Sequence, residues 1–528
     1  MSLTSACFDK GVFATDPAVN CISNLLAVGF RRILVDLYWS PERRQWGLCP
    51  VSTPAGAAAA DGGSLHHLGD YSCTDALDLT VLTNVLKSFF EDNDSDIEIH
   101  VTYMTFNLHA AANSSAPDEP VPVLTAPNLP ADSESLHNIV SNELEEYTYT
   151  PAHLDADRSN LDKSWFKVPA KYRPVTEYFT VTQDNDGNNV SPDGWPCSMY
   201  IQYASQQRLL LVLGTVDSEM KNYDASGDRN VLFPTGSLSP NVLGATGTNN
   251  GSDWQSACMY QHGASQISQA NTSWGAWNTL PLTDTASSPQ ALGQLAHLVQ
   301  NSTRCGLAPT LNSTLLNVTA DDDLDLYWNI SRSSMWSWAI GEPRGADLPK
   351  NSEIQSCSLM DTSLGGYWRA EDCGELRYVA CRVGDKPFAW NLSEKRVSFS
   401  DASGACPDGT SFTLPRTGLE NTYLYNEVIS QPSIDPSSAN ASRREIWLNY
   451  NCRDVRSCWV EGGLGVSCPY ETNPRKLEQR TVQAAAVWSI IICVVAALTL
   501  FVKCNTNRRK SRRRKREIEG WEYEGVPS

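Results

Sequence analysis

The sequence predicts an α/β barrel or open sheet in its amino-terminal part, then a disulfide-held region of short strands, one transmembrane helix and a short basic tail. Three observations carry this reading. Helix and strand patterns alternate from Cys21 to Gly214, Trp, Gly and Cys crowd together in the carboxy-terminal half, and Val482 to Val502 is a run of 21 residues without a charge. With 528 residues, 41% hydrophobic and 19% charged, the chain can bury real cores and has the length of roughly two to four domains.

The first unit is CISNLLAVGFRRILVDLYW, from Cys21 to Trp39: a short apolar helix pattern, a Gly turn and a strand over Arg32 to Tyr38. Next, Leu82, Val85, Leu86, Phe89 and Phe90 share one helical face within Leu79 to Phe90. After the turn-forming EDNDSD, IEIHVTYMTF reads as a strand with alternating sides. The run RLLLVLG, Arg208 to Gly214, is continuously apolar, as a parallel strand buried on both faces requires. Such alternation favours an α/β fold. Two segments, Thr53 to Ser64 and about Ala110 to Ser135, lack an apolar period and are expected to be exposed and mobile. The character of the chain changes between about Thr303 and Asn329, and two Cys-rich stretches ending at Cys381 and Cys468 look loosely alike.

At 1.5 Å rise per residue, the uncharged run is just long enough to cross a hydrocarbon core of about 30 Å. The run KCNTNRRKSRRRKR follows it, and such a flank stays in the cytosol. Residues Lys503 to Ser528 hold nine Lys or Arg and four Glu, a net charge of about +5, which leaves about −24 on the rest. An acidic body repels phosphate backbones, so direct nucleic-acid binding is not expected. Sixteen cysteines divide into fourteen before the span, Cys493 within it and Cys504 after it; fourteen is even, as full pairing requires. Eleven Asn-x-Ser/Thr sequons stand at Asn93, Asn113, Asn189, Asn250, Asn271, Asn301, Asn312, Asn317, Asn329, Asn391 and Asn440, all on the same side of the span. An oxidising lumen accommodates both glycans and disulfides. The prediction is a single-pass type I membrane glycoprotein of the secretory pathway or cell surface, its amino-terminal part lumenal or extracellular and its tail cytoplasmic. The opening MSLTSACFDKGVF has no apolar core of a signal peptide, so such a peptide is expected upstream; insertion directed by the span itself is the alternative.

The stretch WSWAIGEPRGADLPKNSEIQSCSLMDTSLGGYWRAEDCGELRYVACR, Trp336 to Arg382, resembles the closing half of a C-type lectin-like domain. The resemblance implies a Cys357–Cys373 bridge, with Cys381 reaching back to Cys305 or Cys258. A shortened version of the plan, VSFSDASGAC to SCWVEGGLGVSC, implies Cys452–Cys458 and Cys406–Cys468. Calcium-dependent sugar binding in that family needs EPN and WND motifs, because Ca²⁺ takes six to eight oxygen ligands. Here Pro343 is followed by Arg344, and Trp368 by Arg369 and Ala370, leaving Glu342, Glu371 and Asp372 as a weak cage, so metal-dependent lectin activity is not expected.

The segment NLLAVGFRRILVDLYW is similar to the first helix and strand of phosphatidylinositol phosphodiesterase-like (TIM-type) barrels, whose Gly-x-Arg strand carries an acid matching Asp36. Such enzymes use two histidines as base and acid and a cation against the phosphoryl charge. The corresponding SLTSACFDKG has no histidine, so the barrel is expected to be degenerate. Asp36 is the best catalytic candidate if there is one; its other reading is a satisfied polar residue at a strand end. The order of all these motifs, through CWVEGG to the span and basic tail, resembles the fungal maintenance of telomere capping protein 6 family over nearly the whole length.

The implied division is a barrel over 1–310, a lectin-like region over 311–383, a second, shortened one over 384–470, the span at 482–502 and the tail at 503–528. The expected function is a non-catalytic receptor-like or scaffold ectodomain with an indirect part in telomere capping. A membrane-anchored phosphodiesterase acting on inositol phospholipids or glycolipid anchors is the alternative. The expected partners are the membrane and a protein or glycan ligand; no cofactor and no metal site are expected.

Overall fold

The computed structural model describes residues 1–8, 10–54, 64–93, 101–176, 179–237, 277–279, 288–306, 308–343, 356–453, 459–463, 466 and 498–503. It contains two compact units, Met1–Ser467 and Cys468–Ser528.

The first unit begins with helices α1 (Leu3–Cys7) and α2 (Thr15–Ala27) and strands β1 (Arg32–Ser40) and β2 (Gln45–Gly47). Helix α3 (Leu79–Asp92) starts where the Asp78 carboxylate accepts the amides of Thr80 and Val81, filling donors that a first turn leaves empty. Then come β3 (Thr102–Ala110), α4 (Leu136–Leu144), α5 (Pro151–Ser159), β4 (Leu209–Val216) and β5 (Leu232–Phe233). Strand β6 (Trp277–Thr279), helix α6 (Pro289–Arg304), strand β7 (Ala308–Thr310) and helix α7 (Leu324–Ser333) follow.

Strands β1, β3, β4 and β5 pair in parallel in chain order, β2 is antiparallel at the edge, and β6 pairs in parallel with β7. The chain start joins the two groups: Ser2 bridges Leu34 in parallel and donates its amide to the Leu311 carbonyl at 2.6 Å. Parallel strands following one another in chain order form a wound barrel, here a partial one. One strand face, carrying Val35, Leu37, Trp39, Met104, Phe106, Leu108, Leu209 and Leu211, packs with Ile22, Leu25, Leu82, Leu86 and Phe90 from the helices. The other face, with Tyr103, Leu210, Val212 and Phe233, meets Tyr149, Leu154, Trp165 and Ile201.

Two expectations change here. The segment from about 110 to 135, expected to be mobile, is pinned: Leu124 is buried, Trp39 donates its indole N–H to the Asn128 carbonyl, and Trp46 donates to that of Glu134. Single apolar plugs and indole donors hold a segment that has no periodic face. The first core also runs past residue 310, through Leu311, Leu315, Ala320, Leu326, Tyr327 and Ile330, so the boundary implied at 310/311 falls inside one packed body.

The remainder of this unit is a second sheet of β8 (Ser356–Asp361), β9 (Tyr367–Asp372), β10 (Tyr378–Val383), β11 (Trp390–Leu392), β12 (Thr410–Phe412) and β13 (Glu445–Asn451), with helix α8 (Gly418–Ser430). The order is β9-β8-β13-β10-β11, with β12 also on β10. Strand β13 thus lies between β8 and β10, and residues on both sides of the implied 383/384 boundary build one sheet. Period-two alternation sends Met360, Ala380, Ile446 and Leu448 to the face covered by α8, and Leu359, Cys381 and Trp447 to the opposite core.

That alternation also decides the disulfides. Cys357 is bonded to Cys373, Cys7 to Cys21 and Cys49 to Cys73. Cys381 is bonded to Cys406, which corrects both implied partners, Cys305 or Cys258 for Cys381 and Cys468 for Cys406. Cys305, itself disulfide-bonded, sits in the α8 core, on the other side of the sheet from Cys381. Cys258, Cys458 and Cys468 lie outside the described residues. Cys197 is unpaired, its thiol donating to the Tyr172 carbonyl at 3.1 Å, so the even count does not mean full pairing.

Of the second unit the described residues are 498–503, which are helical. Among the described residues no helix is long and apolar enough to cross a membrane; the expected span at 482–502 lies outside them except for its last five residues.

Candidate functional site

The parallel register of β1 and β3 sets Asp36 opposite Asn107 and Tyr38 opposite His109. Side chains two apart on a strand share a face, so these four polar groups converge near the carboxyl ends of the strands, the end where barrel sites form. Strand β4 approaches them through Gly214, where an added Cβ would lie 2.2 Å from Asn107 Oδ1. Asn107 turns that oxygen to the Thr215 amide (3.0 Å) and hydroxyl (3.1 Å), and donates Nδ2–H to Asp36 Oδ1 at 2.9 Å.

Asp36 also accepts the Thr4 hydroxyl on Oδ2 at 2.6 Å, so α1 is tied to β1 through the site. His109 stands between two carboxylates. Its Nδ1 is 2.6 Å from Asp217 Oδ2, just past β4, and its buried Nε2 faces Asp36 Oδ1 at 3.5 Å, an ion-pair distance without hydrogen-bond geometry. The Tyr38 ring stacks on the imidazole with centroids 4.9 Å apart. The side chains of Asp36 and His109 are each 21% exposed and that of Asp217 46%, so solvent reaches the cluster.

Burial pushes the Asp36 carboxyl up, but the facing His109 imidazolium and the hydrogen bonds from Thr4 and Asn107 outweigh it and hold the group below its ordinary value of 3.8. Burial pulls the His109 imidazolium down, and Asp36 and Asp217 more than reverse this, so it keeps its proton above the ordinary 6.5. The signs define a window. The His109 contribution to stability is complete below pH 6.5 and is lost as pH rises through its folded value; that of Asp36 is complete above pH 3.8 and is lost as pH falls through its folded value. The clamp therefore contributes fully between 3.8 and 6.5. His109→Gln is expected to flatten the alkaline side of a melting-temperature profile taken from pH 5 to 9. A variant that keeps the native slope there contradicts the clamp.

Asp36 was singled out through the resemblance of its strand to phosphodiesterase-like barrels; His109, Asn107 and Asp217 were not. The available signal was the two-residue step from Asn107 to His109, the same as from Asp36 to Tyr38. The arrangement can hold and move one proton and can accept hydrogen bonds from a ligand. It offers one imidazole, and no Lys or Arg ion-pairs with Asp36 or Asp217 among the described residues. Among them no three His, Cys, Asp or Glu side chains are placed to hold a metal ion either.

A second charged cluster lies in the carboxy-terminal sheet. Arg369 Nη1 is 3.1 Å from Asp361 Oδ2 and 3.2 Å from Glu445 Oε1, with Glu342 and Glu371 each 3.8 Å from its other nitrogens. Arg377 holds the other oxygen of Glu445 at 2.9 Å, and Arg444 lies 3.5 Å from Asp361 Oδ1. The Asp361, Glu342 and Glu445 side chains are at most 2% exposed.

Of the sequons, Asn250 and Asn271 lie outside the described residues. Asn113, Asn312, Asn317, Asn329, Asn391 and Asn440 are exposed, and Asn93, Asn189 and Asn301 are half-buried.

Residues 1–331 match the family model described as the MTC6 partial TIM-barrel domain. The chain is similar to curated proteins named "Maintenance of telomere capping protein 6". That of Debaryomyces hansenii is 21% identical over 594 residues, covering 100% of this chain and 91% of that protein. Those of Candida dubliniensis (23% over 572 residues; 99% and 90%) and Komagataella phaffii (22% over 549 residues; 100% and 91%) match to the same extent. No solved structure matches.

Proposed function

The chain belongs to the maintenance of telomere capping protein 6 family, and from that membership we propose that it is a single-pass type I membrane glycoprotein whose ectodomain binds a ligand without turning it over, serving telomere capping indirectly. The observation that carries the non-catalytic reading is that the described residues bring a single imidazole, His109, to the barrel mouth. Cleaving a phosphodiester needs a base, an acid and a cation against the developing charge. The second oxygen of Asp36 accepts the Thr4 hydroxyl and not a second imidazole, and the nearby carboxylates repel a phosphoryl group. The indirect link to telomeres is supported by the charge of the body, about −24 outside the tail, which opposes contact with DNA.

The carboxy-terminal sheet supports a lectin-like reading in a metal-free form. The Cys357–Cys373 bridge closes the β8–β9 hairpin, Trp368 is buried, and the Arg369 guanidinium fills the centre of the carboxylates that would otherwise need a cation. A protein or glycan surface ligand suits such a domain better than a calcium-bridged sugar.

One observation favours the rival, a phosphodiesterase acting on inositol phospholipids or glycolipid anchors: His109 paired with Asp36 and Asp217 resembles an acid–base relay. Purified ectodomain assayed on phosphatidylinositol vesicles, with and without Ca²⁺, separates the two. No turnover above the blank is expected. Turnover that disappears in both Asp36→Asn and His109→Ala would establish the enzyme instead.

A further inference from the structure

Resting on the glycoprotein reading above, we propose that N-linked glycans at Asn113 and Asn312 fence the barrel mouth, so that the Asp36–His109–Asp217 clamp admits a small soluble ligand and neither a bilayer nor a folded protein. Both sequons lie in turns that follow barrel strands at their carboxyl ends, the end that carries the clamp. Strand β3 ends one residue past His109, and Asn113 follows it by three; β7 ends at Thr310, and Asn312 follows it by two.

Asn312 is close to the clamp itself. Its Oδ1 accepts the Ser5 hydroxyl at 3.5 Å, and Ser5 adjoins Thr4, whose hydroxyl reaches Asp36. The Thr314 hydroxyl donates to the Ser5 carbonyl at 3.0 Å and so holds this turn against α1. Both asparagines are exposed, and Asn113 engages its carboxamide oxygen, not its nitrogen, accepting the Ser115 amide at 2.8 Å. Asn189 differs: its Nδ2 donates to both oxygens of Asp162 at 2.9 and 3.1 Å, and the buried Ser191 of its sequon accepts the Gly194 amide.

In the modification, Asn Nδ2 forms a bond to the anomeric carbon of a lipid-diphosphate-linked oligosaccharide. The diphosphate leaves with the bonding pair and the amide gives up one proton. The product is a bulky hydrated chain at each rim position. Docking a folded protein takes close apposition over about 800 Å² per partner; two such chains at the rim prevent it and hold off a bilayer in the same way. The clamp side chains, 21% to 46% exposed, remain reachable by a small molecule.

Glycopeptide mapping of the full chain from a eukaryotic secretory host tests the placement. Asn113 and Asn312 are expected to be occupied. If both are bare while Asn391 or Asn440 carries a glycan, this inference fails and the glycoprotein reading stands; if every sequon is bare, both fail. The fence is tested with Thr215→Cys, an exposed position beside Asn107, labelled by a small maleimide and by one on a long polymer. The polymer reagent is expected to react at least tenfold more slowly, and either Asn113→Gln/Asn312→Gln or endoglycosidase treatment of the folded protein should remove most of that difference. A rate ratio unchanged by glycan removal overturns the fence.

Discussion

Arg369→Ala is expected to destabilise the Met1–Ser467 unit by about 3–5 kcal/mol, the usual cost of breaking a buried ion pair from one side. The guanidinium is 22% exposed, but Asp361 and Glu445, which it contacts, have side chains only 1–2% exposed and cannot turn to water. Arg377 and Arg444 would remain, so Asp361 keeps Arg444 alone and Glu445 keeps both, Arg444 only at 3.7 Å. Glu342 loses the cation that faces its Oε1, although its Oε2 still accepts the Ala370 amide. The deficit should appear as a lower denaturant midpoint at unchanged slope, since the surface exposed on unfolding is the same. Arg369→Met/Asp361→Asn should recover part of it, because removing both charges leaves less uncompensated charge than removing one. A double variant no more stable than Arg369→Ala would show that the cost comes from packing.

Trp447→Ala is expected to cost a similar 3–5 kcal/mol through the cavity left by a fully buried tryptophan of the second sheet. Trp447 is fully buried at the centre of β13, paired across to Leu359 on β8 and Val379 on β10. Its ring packs edge-on against Phe399 at 5.7 Å and its indole N–H donates to the Val397 carbonyl at 3.0 Å. The same core holds both bridges, Cys357–Cys373 and Cys381–Cys406. Faster reduction of those bridges by a mild thiol should therefore accompany the loss, and bridges that keep their native resistance would contradict the packing described. Trp447→Phe, which refills most of the volume but lacks the donor, should lose much less.

What the sequence revealed follows from where apolar periodicity is clean. The strand at Arg32, the helix at Leu79 and the buried run at Arg208 have one function each, to fill a core, and all three stand where their patterns put them. Helix α8 was invisible for the opposite reason. It is buried on several sides, and Glu420, Asn421 and Thr422 are among its buried residues, so no apolar stripe marks it. Asn421 explains the exception: it accepts the Trp368 indole N–H at 2.9 Å and donates to the Trp336 and Gly366 carbonyls, a polar staple inside the second core.

The site was half legible. Asp36 drew notice because its strand resembles that of phosphodiesterase-like barrels, whereas His109 and Asp217 acquire meaning only through pairing across 108 residues of chain. No local spacing encodes the register of two parallel strands. The disulfides show the same limit, since Cys381 and Cys406 meet because both face the Trp447 core, a property of the folded sheet.

The central claim is that the acidic body lies across a membrane from its basic tail. Protease added outside sealed microsomes carrying the full chain tests it most directly, followed by detection of the body with an antibody to residues 1–331. The account predicts a body that survives, shortened by no more than the tail at 503–528, until detergent opens the vesicles. Digestion of the body in intact vesicles would contradict it.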